Sequence, residues 1–485
     1  MIYSQTRRLF ILFSITALLV IGATDASSGN SLQNALAAKT KKTEGKRGTF
    51  GAKIIDLDTG KVVYQHNANT PLIPASNMKL YTSSAALCEL GHDFEFKTRL
   101  YAGGKISNGT LDGDLLLIGG GDPNISGRFH DDDPLAVFSD WAELLKKAGV
   151  EKITGELVYD STLFGGENYG PNWPKDGQYM KWYCAQVSAL AFNDNCVGIR
   201  VTPAKAGHQA KIEVVPATSY VKVVNQTKTA AGKKGAKIGI IRKRGSNTIT
   251  VKGTVYEKAT WGYFTDVTVN NPAAYAATVL QETLEAQGIA FAGGIKPDML
   301  TNERLRKSKL LVDHKFTLAM ALKPVNTNSQ NLHAEMLFRQ LGLHLAGKGT
   351  FASGRAGVEK FLDEVKIDHS QMVFDDGSGM SRKNRITAAG TVELLKYMAK
   401  RDDFAMFKES LSVGGESGTL KKRLKDKSVR GKVFAKTGYI NGVRSLSGYL
   451  YVGKRRLAFS LLMNNCVYTK QTQDEILVLL AKASA

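Results

Sequence analysis

Strands at both ends of the chain with helices between them predict an α+β protein whose main sheet is built from the two chain ends. Three observations carry this. An alternating segment from Thr49 to Asp56 meets the turn residues Asp58-Thr59-Gly60 and returns through Lys61 to Tyr64, which is a hairpin signal. A strand-like region runs from Lys432 to Met463 and closes on an amphipathic helix, Gln471 to Ala481. Between these ends, helical spacing dominates from Ser329 to Leu345 and from Ala388 to Lys400. The remaining middle of the chain is then an insertion.

Composition sets the outer bounds. The 485 residues are 43% hydrophobic and 22% charged, an ordinary globular balance that excludes a collagenous, low-complexity or wholly disordered chain. A length of this order implies two to four domains at about 150 residues each. A formal charge of +21 favours an anionic partner, whether nucleic acid, anionic lipid or an envelope polyanion. Four cysteines exclude a disulfide framework, and no C-x-x-C pair indicates a zinc or redox centre.

The first residues narrow the compartment. Arg7 and Arg8 precede an apolar run from Leu9 to Gly22, and the small residues Ala23 to Ala26 follow. This reads as a secretory signal, residues 1–26, cut near Ala26. The run is shorter than the roughly 20 residues that span a bilayer, and an uncleaved anchor is the alternative. No Cys lies near the cut, which argues against a lipoprotein. Later apolar runs are broken by charge, so the mature chain is expected to be exported and soluble, without a transmembrane helix and without a nucleic-acid partner.

The elements then follow in order. Residues 27–48 hold Lys39, Lys41, Lys42, Lys46 and Arg47 in a Ser/Asn/Gly setting and read as a basic flexible linker. A helix is expected from Ser76 to Leu90, stopped by Gly91. Another spans Pro134 to Ala148, with Leu135, Phe138, Trp141, Leu144 and Leu145 as its core side. From Val197 to Trp261 the pattern changes to short β-branched runs such as Lys237 to Ile241 and Thr248 to Val255, a small all-β module. Residues 221–258 carry ten basic side chains against the single acid Glu257, which fits either a solvated β surface or a polyanion-binding patch. A further helix opens at Asn271-Pro272 and stops at Gly288.

The chemistry concentrates in three short motifs. The eight histidines show no metal spacing, so neither a metal nor a cofactor is expected. Gly119-Gly120-Gly121-Asp122-Pro123 lacks the Lys-Ser/Thr end of a phosphate loop and reads as a tight turn. Ser76 and Lys79 lie three apart, so on one helix face the lysine amine can approach the serine hydroxyl. A lysine at its ordinary pKa is only about 0.04% neutral at pH 7, so burial and neighbouring cations must depress it before it can act as base. Ser329-Gln330-Asn331 at a helix start offers a second hydroxyl and an amide that both accepts and donates. Lys436-Thr437-Gly438 lies on a strand whose pleat points Lys436 and Gly438 to one face, with the glycine leaving room for a substrate backbone.

S-x-x-K, S-x-N and K-T-G in this order resemble the motif set of penicillin-binding proteins and class A β-lactamases, with Gln330 in place of the usual middle Asp. The chain is similar over nearly all of its mature length to the low-molecular-mass class C penicillin-binding proteins, of the penicillin-binding protein 4 type. Segments Thr70 to Lys79, Asn331 to Leu337, Asp376 to Arg382, and Gly418 to Lys421 leading into Lys436 carry the likeness, as do Gly119 to Pro123 and Phe192 to Asn195. The 253 residues between Ser76 and Ser329 fit this subclass and not the compact β-lactamases.

The resemblance implies a serine β-lactamase/transpeptidase-like catalytic domain, an antiparallel sheet with helices, carrying two inserted and nested domains. The expected division is 49–96 with 316–485 as catalytic domain, 97–198 with 262–315 as a second domain, and 199–261 as a small β domain nested within it. It also implies D-alanyl-D-alanine carboxypeptidase and endopeptidase activity on peptidoglycan stem peptides, with β-lactams as covalent inhibitors. Ser76 would be the nucleophile, Lys79 its base, Ser329 the proton relay and Asn331 the group placing Lys79 and substrate. Lys436 would depress the Lys79 pKa and attract a carboxylate, with Thr437, Gly438 and Tyr439 binding substrate and the Ser76 and Tyr439 N–H groups holding the oxyanion. Tyr439 stands where the family usually has threonine. Asp176, in Trp173-Pro174-Lys175-Asp176, resembles the segment that reaches the peptide side chain in relatives; an ordinary loop acid is the alternative. Asp376 and Ser378 are expected to fix a turn. Cys184 and Cys196, close in sequence and exported, are a plausible disulfide. Rival readings are a non-catalytic protein binding anionic envelope polymers and a β-lactamase.

Overall fold

The computed structural model describes residues 31–174, 177–232, 235–259 and 262–483. The chain forms two compact units. Of the described residues, the first comprises 31–77, 367–372 and 385–483. The second comprises Met78 to Lys366 and Val373 to Asn384. The signal segment and Asp176 lie outside the described residues.

The first unit is organised by a six-stranded antiparallel sheet, in the order Ser412–Val413, Val433–Ile440, Val443–Val452, Arg455–Asn464, Thr49–Asp56, Val62–His66. The expected hairpin is present, and the first strand of the chain pairs with the last, Thr49 opposite Asn464 through Asp56 opposite Leu457. Strand alternation puts Phe50, Ala52 and Ile54 on one face, where they share a core with Ile476, Leu477 and Leu480 of the terminal helix Thr469–Ala483. On the other face a Cβ added at Gly51 would meet Leu72 and Ala388, and the Tyr449 hydroxyl donates to the carbonyl of Leu395 in the helix Ala388–Met398.

The stretch read as a flexible linker is instead helical over 31–44. Leu36, Thr40 and Thr43 recur at helical spacing and are fully buried, while the lysines between them face outward. Thr43 hydrogen-bonds Thr472 at 2.7 Å, and the Tyr64 hydroxyl donates to Thr40 at 2.9 Å. A pattern carried by so few apolar residues is hidden from a composition count.

The second unit contains the helices Met78–Leu90, Leu318–Asn326, Asn331–Ala346 and Phe351–Glu364. It also contains a five-stranded mixed sheet ordered Ile295–Pro297, Leu157–Asp160, Leu115–Ile118, Glu95–Ala102, Lys309–Thr317. Helices Ala136–Lys147 and Pro272–Ala286 form where the apolar spacing places them. Phe138, Trp141 and Leu145 are buried as expected, but Leu144 is 41% exposed and lies off the core side. The glycine turn is real: Gly121 has φ +73°, and a Cβ on Gly120 would sit 2.0 Å from the Lys97 carbonyl oxygen.

The β module is present as two three-stranded sheets, Lys211–Val215, Cys196–Thr202, Tyr263–Thr268 and Lys222–Ala230, Thr248–Tyr256, Ala236–Arg242. Of its basic residues, Arg242 is internal, donating to the Tyr179 and Ser246 carbonyls and to the Thr268 hydroxyl. Cys184 and Cys196 are free thiols, not a disulfide, and burial raises both thiol pKa values. Among the described residues no helix is long and apolar enough to cross a membrane.

Candidate active site

Ser76 lies in the single 3-10 turn Ala75–Asn77 that runs directly into the helix Met78–Leu90, so the turn and not the α-helix carries the hydroxyl. Ala75 is fully buried with φ +46°, a left-handed conformation that costs of order 1–3 kcal/mol and must be held by its surroundings. Asn77 supplies the tie, with its amide donating to the Lys436 carbonyl at 2.7 Å. Its side-chain oxygen accepts from the Ser447 hydroxyl at 2.7 Å, and Ser447 in turn lies 2.9 Å from the Ser460 hydroxyl. The Ser445 hydroxyl donates to the Pro74 carbonyl at 2.6 Å.

These bonds bring the Ser76 turn against the strand Val433–Ile440, and a glycine is required where the two meet. A Cβ on Gly438 would stand 2.1 Å from the Ser445 Oγ, 2.7 Å from the Pro74 oxygen and 3.0 Å from the Ser76 nitrogen. Lys436 is fully buried and its amine donates to the Thr437 carbonyl at 3.0 Å. Thr437 donates its hydroxyl to Thr419 at 2.8 Å. The edge strand Ser412–Val413 pairs only with Ala435 and Phe434, so within this sheet the edge beyond Ala435 lacks a strand partner.

In the second unit Lys79 is fully buried on the helix Met78–Leu90. Its amine donates to the Asn331 side-chain oxygen and to the Ser378 carbonyl, both at 2.7 Å. Burial is the larger influence on its pKa and lowers it to about 7, against the opposing pull of Glu335 and Asp376. Desolvation thus leads where the motif set suggests like charge from Lys436. Asn331 opens the helix Asn331–Ala346 and donates its amide to the Tyr183 carbonyl at 2.8 Å. Ser329, two residues earlier, has φ +61°. Gln330 turns its side chain to Asp194, 3.3 Å away, on the same carboxylate oxygen that takes Arg128. An Asp at 330 would set like charge against Asp194, which gives the substitution a physical reason.

Sequence reasoning missed the layer behind these motifs. Glu335, fully buried and one helical turn after Asn331, accepts the backbone N–H groups of Gly377 at 2.9 Å and Ser378 at 2.8 Å. Asp376 accepts from Gly379 N, Ser381 N, the Asn384 amide and the Trp173 indole at 2.6–3.0 Å. As expected, Asp376 fixes the turn, which presents the Ser378 carbonyl to Lys79. Burial raises the pKa of both acids, and their hydrogen bonds oppose the rise. The i, i+4 spacing of Asn331 and Glu335 was readable as a shared face, and Asn77 sits inside the S-x-x-K motif, but neither carries a catalytic signature.

The chain is 35% identical over 433 residues to a D-alanyl-D-alanine carboxypeptidase of an Actinomadura species, covering 85% of this chain and 77% of the relative. It is 29% identical over 431 residues to D-alanyl-D-alanine carboxypeptidase DacB of Haemophilus influenzae, covering 87% and 86%. A crystal structure of penicillin binding protein 4 from Haemophilus influenzae matches with a TM-score of 0.78 at 25% identity, over 92% of this chain and 97% of that one. The same protein complexed with a β-lactam matches with a TM-score of 0.73 at 26% identity, over the same shares.

Fold and relatives define a serine DD-peptidase of the penicillin-binding type, with the α+β transpeptidase-like architecture expected from the sequence. The chain belongs to the D-Ala-D-Ala carboxypeptidase 3 (S13) family, whose model matches residues 32–483.

Proposed function

We propose that the peptidase reaction runs through an acyl-Ser76 intermediate formed on peptidoglycan stem peptides. The observation that carries this is Lys79, fully buried, held by two 2.7 Å hydrogen bonds and with its pKa lowered to about 7, so that a substantial neutral fraction is present at physiological pH. Ser76 Oγ attacks the carbonyl carbon of the penultimate D-alanine or of a cross-link, and Lys79 takes the hydroxyl proton. The N–H groups of Ser76 and Tyr439 hold the oxyanion, a contribution worth about 3–4 kcal/mol per donor in other hydrolases. As the C–N bond breaks, Ser329 relays the proton to the leaving amine, with Asn331 fixing Lys79. Water then attacks the acyl carbon, returning the Ser76 hydroxyl and a free carboxyl group. Lys436 and Thr437 take the substrate carboxylate, and the peptide lies along the strand Val433–Ile440 beyond its pairing with Ser412–Val413. Asp176 is assigned to a free amine on the peptide side chain.

The reading extends to organisation and place. Export to the cell envelope through residues 1–26 fits the peptidoglycan substrate. The division into a catalytic domain over 49–96 and 316–485, an inserted domain over 97–198 and 262–315, and a nested β domain over 199–261 is retained as our proposal. Anionic envelope polymers are proposed to dock on the β domain. On the sheet Lys222–Ala230, Thr248–Tyr256, Ala236–Arg242, the exposed side chains of Lys222, Lys228, Lys252 and Lys237 share one face by register, and no acid stands among them.

Fluorescent penicillin labelling of the purified protein, read by gel and intact mass beside Ser76→Ala, tests the core of this. Labelling of the wild type that vanishes in the variant is the expected result. A folded wild type that takes no label would favour an envelope-binding protein that only keeps the fold, and rapid turnover of a chromogenic cephalosporin would favour a β-lactamase.

A further inference from the structure

Tyr439 stands where the family usually has threonine, and the strand beside it sets a cation against it. Arg444 is the register partner of Tyr439 on the strand Val443–Val452. Its guanidinium lies over the Tyr439 ring, 4.6 Å from the centroid. The ring is 64% exposed and the arginine half-buried. The pleat places Thr437 and Tyr439 on one face of the strand, and a cross-strand partner projects to that same face. Three side chains thus share one face of the strands Val433–Ile440 and Val443–Val452.

The charge around this group is out of balance. Asp474 is the nearby acid that acts on Arg444, yet it is committed to Arg423, which donates to it from both Nε and Nη2 at 2.6–3.4 Å. Among the described residues the Arg444 guanidinium makes no hydrogen bond and no ion pair of its own, Asp474 being taken by Arg423. Its planar fork is therefore available and already oriented by stacking, which removes part of the entropic cost of forming paired hydrogen bonds to a planar anion. A carboxylate is the matching acceptor, because its two oxygens meet the fork in parallel.

We propose that Arg444, seated on Tyr439, recognises the C-terminal carboxylate of the donor peptide and makes this chain selective for peptides that end in a free carboxylate. Tyr439 is then a platform for the guanidinium where the family carries threonine. The proposal rests on acyl transfer at Ser76, and it assigns a specificity role, not a part in proton transfer.

The test compares two synthetic peptides, one ending in D-Ala-D-Ala with a free carboxylate and the other with the terminal carboxyl converted to carboxamide. Steady-state kcat/KM is measured for the wild type, Arg444→Ala, Arg444→Lys and Tyr439→Leu, each checked for an unchanged thermal midpoint. The expected result is that Arg444→Ala loses about 10- to 100-fold on the free carboxylate, the range for a hydrogen bond to a charged group, while the carboxamide peptide changes less than about twofold. Arg444→Lys should recover part of the loss, and Tyr439→Leu should show a smaller loss with the same selectivity. Equal losses on both peptides, or no loss on either, would overturn the proposal. A wild type that processes neither peptide and labels equally with and without Ser76 would sink the acyl-Ser76 reading instead.

Discussion

The side chains that tie the Ser76 turn to its strand are neutral, whereas those that act on Lys79 are titratable acids. Asn77, Ser445, Ser447 and Ser460 fix the Ser76 turn and its strand through hydrogen bonds of 2.6–2.9 Å. In the other unit, Lys79 is acted on by two fully buried acids, Glu335 and Asp376. A neutral network specifies geometry and leaves protonation alone. A buried charged network sets the protonation of every member, since taking ions out of water costs several kcal/mol each unless they are paired or neutralised. The difference assigns two tasks, placing the nucleophile and tuning the base, to two sets of residues.

Substitutions sharpen this contrast. The largest effect is expected from Lys79→Ala, which removes the base and should slow acylation by penicillin about 10³-fold in stopped-flow labelling, within the range for general-base catalysis. Gly438→Ala should follow, about 10²-fold, because its methyl would enter the space of Ser445 and Pro74 and displace the Ser76 turn. If Gly438→Ala acylates normally, the close approach of strand and turn is not what positions the serine.

Asp376→Asn addresses the charged side through stability. The amide would turn an NH₂ toward two of the donors that now point at the carboxylate, at a cost of about 3 kcal/mol, measurable by denaturant unfolding. Asn77→Ala, its neutral counterpart, should cost about 2 kcal/mol for two buried hydrogen bonds. The smallest effects lie in the pH profile. The neutral amine is the base, so acylation should climb as pH rises through about 7 and level off above it. Glu335→Gln removes a group that raises the Lys79 pKa and should move that limb to lower pH, while Asn77→Ala should leave it in place. A limb displaced equally by both variants would abolish the distinction between the two networks.

Much of this was legible in the residue order. Three short motifs, the hairpin, the terminal helix and the switch to β pattern could be read because each depends on neighbours in sequence or on a fixed period. The helix over 31–44 was not, because its inward side rests on Leu36, Thr40 and Thr43 while charge dominates its composition. Glu335 was hidden for another reason. An acid on a helix is ordinarily solvated, and only burial beside the turn at Gly377 and Ser378 gives it a role.

By itself the sequence determined the α+β class, the family and the types of group available for acyl transfer, because motif spacing and hydrophobic period are properties of the chain. Tertiary structure alone decided that Lys79 titrates near 7, that Gly438 must be glycine and that Arg444 stacks on Tyr439. The first follows from desolvation and the others from close packing between neighbouring segments, and both arise only when the fold closes around them.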